Sequence, residues 1–70
     1  MDIRSLSCFV AVADALNFRA AAQQLHLTQP ALSARIQNLE DEIGAALFVR
    51  DRRHVAITAA GAAMLPHARA

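Results

Sequence analysis

Among its 70 residues the chain has one cysteine, two glycines, two prolines, no tryptophan, no tyrosine and no lysine. The lone thiol, Cys8, has no partner for an intrachain disulfide and no second thiol for a zinc site, which excludes redox and zinc scaffolds. Gly44 and Gly61 lie far apart, so no Gly-rich loop can cradle a phosphate. Long hydrophobic runs are missing too: Arg4, Asp14, Arg19 and Arg35 break the sequence well below the length of a membrane span. Asp2 beside Met1 is unlike the start of a signal peptide, and a soluble cytoplasmic protein is expected. His26, His54 and His67 are scattered without chelating spacing, and no nucleophile has a base within a recognisable motif. No catalytic, metal or cofactor site is therefore expected, and an enzyme is not the reading.

What remains is apolar and helix-prone. The hydrophobic share is 56%, but 17 of those residues are alanine, the best helix former, while 19 Leu, Ile, Val and Phe can fill one compact core. All-helical packing is the first expectation, and the low charged fraction of 19% argues against disorder. Net charge is only +1, yet the charge is segregated. All seven basic residues are arginine, Arg50, Arg52 and Arg53 cluster, and Glu40, Asp41 and Glu42 form an acidic block upstream. The acidic block reads as a solvated helix face.

Apolar residues Ile3, Leu6, Phe9, Val10 and Ala13 fall at helical spacing and predict a first helix over Ile3–Ala15. Asn17 is a natural N-cap for a short helix over Phe18–Leu25. After His26 and Leu27, Thr28 followed by Gln29 and Pro30 predicts a cap and the first turn of a third helix, because a missing N–H costs nothing there. Its core face is Leu32, Ile36, Leu39 and Ile43, and Gly44 ends it in the left-handed conformation. Leu47–Val49 and Val55–Ile57 are β-prone and predict a hairpin whose tip, lacking Gly or Asn, forms a longer loop. Thr58 caps a fourth helix that Gly61 weakens and Pro66 kinks. That helix, apolar and ending at Ala70 without a terminator, reads as the start of a longer element and as a surface seeking a partner.

Two short helices joined by a three-residue turn match the helix-turn-helix, whose second helix enters the DNA major groove. With Leu32, Ile36, Leu39 and Ile43 packed inward, Gln29, Pro30, Ser33, Ala34 and Gln37 lie on the outer face. Gln29 and Gln37 can pair with adenine, Ser33 with several bases, and Pro30 and Ala34 can touch a thymine methyl. The helix start, with its free N–H groups and dipole, favours a phosphate beside Thr28.

The run from Phe18 to Ser33, FRAAAQQLHLTQPALS, continues through Leu39-Glu40, Ile43-Gly44, Leu47-Phe48-Val-Arg50 and Thr58-Ala-Ala-Gly61. It resembles the DNA-binding domain of LysR-type transcriptional regulators over nearly the whole chain. The resemblance implies a mostly α, winged helix-turn-helix domain over residues 1–58, with a small β-hairpin wing. Residues 59–70 would start a linker helix that pairs with its copy in a homodimer. It implies a double-stranded DNA partner, no membrane, and a small-molecule-sensing effector domain that is absent from this chain. Carried over by position, Gln29, Pro30 and Ser33 match base-contacting residues, Thr28 a cap and phosphate position, and Arg50, Arg52 and Arg53 a wing on backbone and minor groove. Ala34 stands where many members carry a base-reading arginine, and Ala20 where a basic residue often meets phosphate. Arg19 and Arg35 are candidates to compensate, although Arg35 lies on the helix flank. The competing reading is a protein-interaction module working through the alanine-rich fourth helix.

Overall fold

The computed structural model describes residues 2–51 and 54–69. Elements follow in the order α1 (Ile3–Ala15), α2 (Phe18–Leu25), α3 (Gln29–Ile43), β1 (Phe48–Arg50), β2 (Val55–Ile57) and α4 (Ala59–Arg69). Each of the first three helices starts on a side chain that accepts a backbone N–H otherwise left without an intrahelical partner. Asp2 accepts from Ser5 at 2.8 Å, Asn17 from Ala20 at 2.9 Å and Thr28 from Ala31 at 3.2 Å. Each ends on a left-handed residue: Leu16, His26 and Gly44, with φ of 49°, 57° and 80°. Only the last is a glycine; at Leu16 the conformation is held by its N–H donating to the Val12 carbonyl at 2.7 Å.

The core joins Phe9 and Val12 of α1, Ala21 and Ala22 of α2, Leu32, Ile36 and Leu39 of α3, and Leu47 and Phe48 at the wing. Phe48 packs its ring against Phe9 at 5.5 Å and edge-on to Phe18 at 6.1 Å between centroids, tying the wing to both α1 and α2. The buried face of α1 differs from the sequence expectation. Cys8, Phe9, Ala11 and Val12 turn inward, Leu6, Val10 and Ala13 are half-buried, and Ile3 is 81% exposed. The unbroken apolar run from Cys8 to Ala13 fits several helical faces, and the packing partners choose among them. Burial pushes the pKa of the Cys8 thiol above its ordinary value, in keeping with an unreactive core position.

The antiparallel hairpin pairs Phe48 with Ile57, Val49 with Ala56 and Arg50 with Val55. Its connection runs from Asp51 to His54, where the Asp51 N–H donates to the His54 carbonyl at 2.9 Å and the Asp51 carboxylate accepts the His54 N–H at 2.7 Å. The expected long connection is thus braced by an aspartate in place of a glycine turn.

α4 runs from Ala59 through Pro66 to Arg69. It also packs into the core, with Gly61 buried and Met64, Leu65 and Ala68 half-buried against the cluster. Gly61 is a contact point here: a Cβ at this position would lie 2.5 Å from the Leu47 carbonyl oxygen and 2.7 Å from Ile57 Cγ1. Thr58 locks the same junction, its hydroxyl donating to the Ala46 carbonyl at 2.6 Å and accepting the Gly61 N–H at 3.0 Å. At the other end, Arg69 pairs with Asp14 of α1, the Nη1–Oδ2 contact being 3.4 Å.

Candidate nucleic-acid interface

α2, the turn at His26 and Leu27, and α3 form a helix-turn-helix in which the turn is tied back to the end of α2. The Leu27 N–H donates to the Ala22 carbonyl at 2.9 Å and the His26 N–H to the Gln23 carbonyl at 3.3 Å. Leu32, Ile36 and Leu39 are completely or almost completely buried. This fixes the rotation of α3, and the opposite stripe carries Gln29, Pro30, Ala34 and Gln37, all exposed, with Ser33 half-buried beside them. Thr28 is exposed at the helix start, where Pro30 has no N–H and the Thr28 oxygen takes the one from Ala31. The Gln29 N–H, at the first helical position, has no intrahelical acceptor and sits at the positive end of the helix dipole.

Two of these side chains are held from behind. Gln37 donates through its amide to Asp41, one turn on, at 3.0 Å. Ser33 accepts at 3.1 Å from the guanidinium of Arg50, which also lies over the Phe18 ring with Cζ 4.1 Å from its centroid. Arg50 is therefore at the base of the wing, facing the start of α3; Arg52 and Arg53, the other two expected wing residues, lie outside the described residues. Arg19 and Ala20 are exposed on α2 and Arg35 is half-buried on the flank of α3.

One role is missed by sequence reasoning. Glu40, expected on a solvated acidic face, is half-buried and its carboxylate accepts the backbone N–H groups of Leu47 at 2.7 Å and Phe48 at 3.3 Å. It pins the first strand of the wing to the recognition helix. Asp41 and Glu42 remain exposed as expected. The signal available in the sequence is the chain reversal at Gly44, which brings the residue four positions before it close to those three and four positions after.

Among the described residues no group of three or more His, Cys, Asp or Glu side chains could hold a metal, and no helix is long and apolar enough to cross a membrane.

Residues 3–62 match the family described as bacterial regulatory helix-turn-helix protein, lysR family. The chain is 54% identical over 68 residues to the Hca operon transcriptional activator HcaR of Escherichia coli K12, covering 97% of this chain and 23% of that protein. It superposes on the CbnR DBD in complex with DNA with a TM-score of 0.95 at 45% identity, covering 99% of this chain and 79% of that one. A BenM DBD bound to catB site 1 DNA gives 0.93 at 42% identity, covering 99% and 78%. The chain spans about a quarter of the length of such curated relatives. Capped helix-turn-helix, pinned wing and these likenesses together place the chain in the LysR family of bacterial regulatory helix-turn-helix proteins, as the DNA-binding domain of a transcriptional regulator.

Proposed function

We propose that the chain reads a specific duplex sequence by laying the start of α3 in the major groove. Gln29, Pro30, Ser33, Ala34 and Gln37 meet base edges, and Thr28 with the helix start meets a phosphate. The wing closes on the flanking backbone and minor groove through Arg52 and Arg53, with Arg50 at its base. The observation that carries this reading is the locked rotation of α3: its apolar face is buried in the core, and at the end that would enter the groove its other face is uncharged and, apart from the half-buried Ser33, exposed. The whole protein then acts as a regulator of transcription, with this chain as its DNA-reading part.

Residues 1–58 form the DNA-binding unit in this proposal and 59–70 the start of a linker helix. While α4 turns Met64, Leu65 and Ala68 inward, Ala59, Ala62 and Ala63 stay exposed as a small-residue stripe. That stripe supports pairing with a second copy, and a two-fold dimer would place two α3 faces in successive major grooves on an interrupted inverted repeat.

The test is binding-site selection from a randomised duplex pool, followed by affinities for the selected site and for random DNA. Gln29→Ala should cost about 1–3 kcal/mol on the selected site and leave random binding nearly unchanged, because base contacts specify and phosphate contacts position. Equal losses on both would remove Gln29 from the reading face.

A further inference from the structure

We propose that Arg50 is a positioning residue for Ser33, and that the pair reads a base acceptor in the major groove, with guanine, which presents two, preferred. The inference rests on the DNA-reading function proposed above and narrows it at one position.

Three contacts hold Arg50. Its backbone is in the hairpin ladder opposite Val55, its guanidinium lies over the Phe18 ring, and Nη1 donates to Ser33 Oγ at 3.1 Å. Phe18 is itself fixed, buried as the first residue of α2 and edge-on to Phe48. The guanidinium is therefore positioned against the core, through a ring that cannot move without disturbing it.

A guanidinium carries donors and no acceptor. Ser33 Oγ must accept from it, so the serine hydroxyl proton is left to donate elsewhere. The adjacent positive charge works in the same direction, since it favours electronegative acceptors and disfavours exocyclic amines brought to the same oxygen. In the major groove cytosine offers an N4 amine and adenine an N6 amine beside N7, thymine has O4 next to a methyl, and guanine alone presents two acceptors, O6 and N7, without a donor. A serine free of Arg50 would pair with several bases; held by Arg50 it prefers guanine. The same geometry directs Arg50 towards Ser33 and away from a role as one more phosphate contact of the wing.

The experiment selects sites from a randomised duplex pool with the wild-type chain, Ser33→Ala, Arg50→Met, Arg50→Lys and the Ser33→Ala/Arg50→Met double variant. Helix content is checked by circular dichroism, and Arg50→Lys retains a cation over Phe18 if the methionine variant loses structure. The base read by Ser33 is the position whose preference Ser33→Ala flattens. We expect guanine there, a roughly fivefold to tenfold loss of preference at that position in each single variant, and no further loss in the double variant. Arg50→Lys, lacking the planar fork, should recover only part of the preference, and the salt slope of Arg50→Met should equal that of the wild type. Losses that multiply in the double variant, flattening at a different position, or a slope reduced by about one unit per subunit would overturn the positioning role and make Arg50 a phosphate contact. A pool from which the wild type selects nothing would overturn the DNA-reading function as well.

Discussion

Replacing Glu40 by alanine tests whether the wing is fastened to the recognition helix by one carboxylate. The two N–H groups it serves belong to Leu47 and Phe48, which are buried. Removing the acceptor leaves them without a partner in a place water reaches poorly, and an unsatisfied buried donor costs about 1–3 kcal/mol, more when the lost partner was charged. The Leu47 bond at 2.7 Å should dominate, with the Phe48 bond at 3.3 Å adding a minor share. A total loss of about 2–3 kcal/mol is expected, and for a domain of this size each kcal/mol lowers Tm by roughly 4–8 °C. Glu40→Gln keeps an acceptor oxygen and should lose about 1 kcal/mol, the difference between a charged and a neutral hydrogen bond. Urea and thermal melts followed by circular dichroism give these numbers, with Asp41→Ala as an exposed acidic control expected within about 0.5 kcal/mol of the wild type. If Glu40→Ala and Asp41→Ala melt alike, the carboxylate is a solvated charge and the pinning argument fails.

Gly61→Ala should destabilise the fold by about 1–3 kcal/mol despite alanine's better helix propensity, because the new methyl would overlap the Leu47 carbonyl and Ile57; an increase in Tm would show that α4 can shift off the hairpin at little cost. Arg52→Ala and Arg53→Ala should each reduce the slope of log K against log salt by about one unit per subunit, and weaker binding with an unchanged slope would mean these arginines do not meet phosphates. The backbone N–H of Ser5, together with its hydroxyl, lowers the Asp2 carboxyl below its ordinary 3.8. A depressed folded-state pKa contributes stability that is fully present above the unfolded value and is lost as pH falls from about 4 through the lower folded value. Asp2→Ala should flatten that acid limb, and a limb of unchanged steepness would exclude the cap as its source.

The elements were legible because caps and stops are local. Asn17, Thr28 with Gln29 and Pro30, and Gly44 mark helix ends by what their own backbone and side chains can do, and all three mark them in the structure. The exposed stripe of α3 followed from a clean three- and four-residue spacing of Leu32, Ile36 and Leu39. Where apolar residues are continuous, as from Cys8 to Ala13, spacing does not choose the buried face, and Ile3, at helical spacing from Leu6 and Val10, is mostly exposed. Glu40 and Arg50 have partners that spacing along a single helix does not show: the Leu47 N–H reaches Glu40 through the chain reversal at Gly44, and Ser33 meets Arg50 through the placement of the hairpin. Gly61 read as a weakness of α4 because propensity sees the helix alone, whereas the close approach of Leu47 and Ile57 is tertiary.

The central claim is that the start of α3 occupies the major groove, and methylation protection of guanine N7 tests it most directly, because that atom lies in the major groove. On a duplex selected by the chain, we expect protection in two clusters roughly 34–36 Å apart along the axis, with Gln29→Ala losing it at the bases its side chain meets. Full binding with guanine N7 left unprotected throughout, or with protection confined to adenine N3 in the minor groove, would contradict the placement of α3.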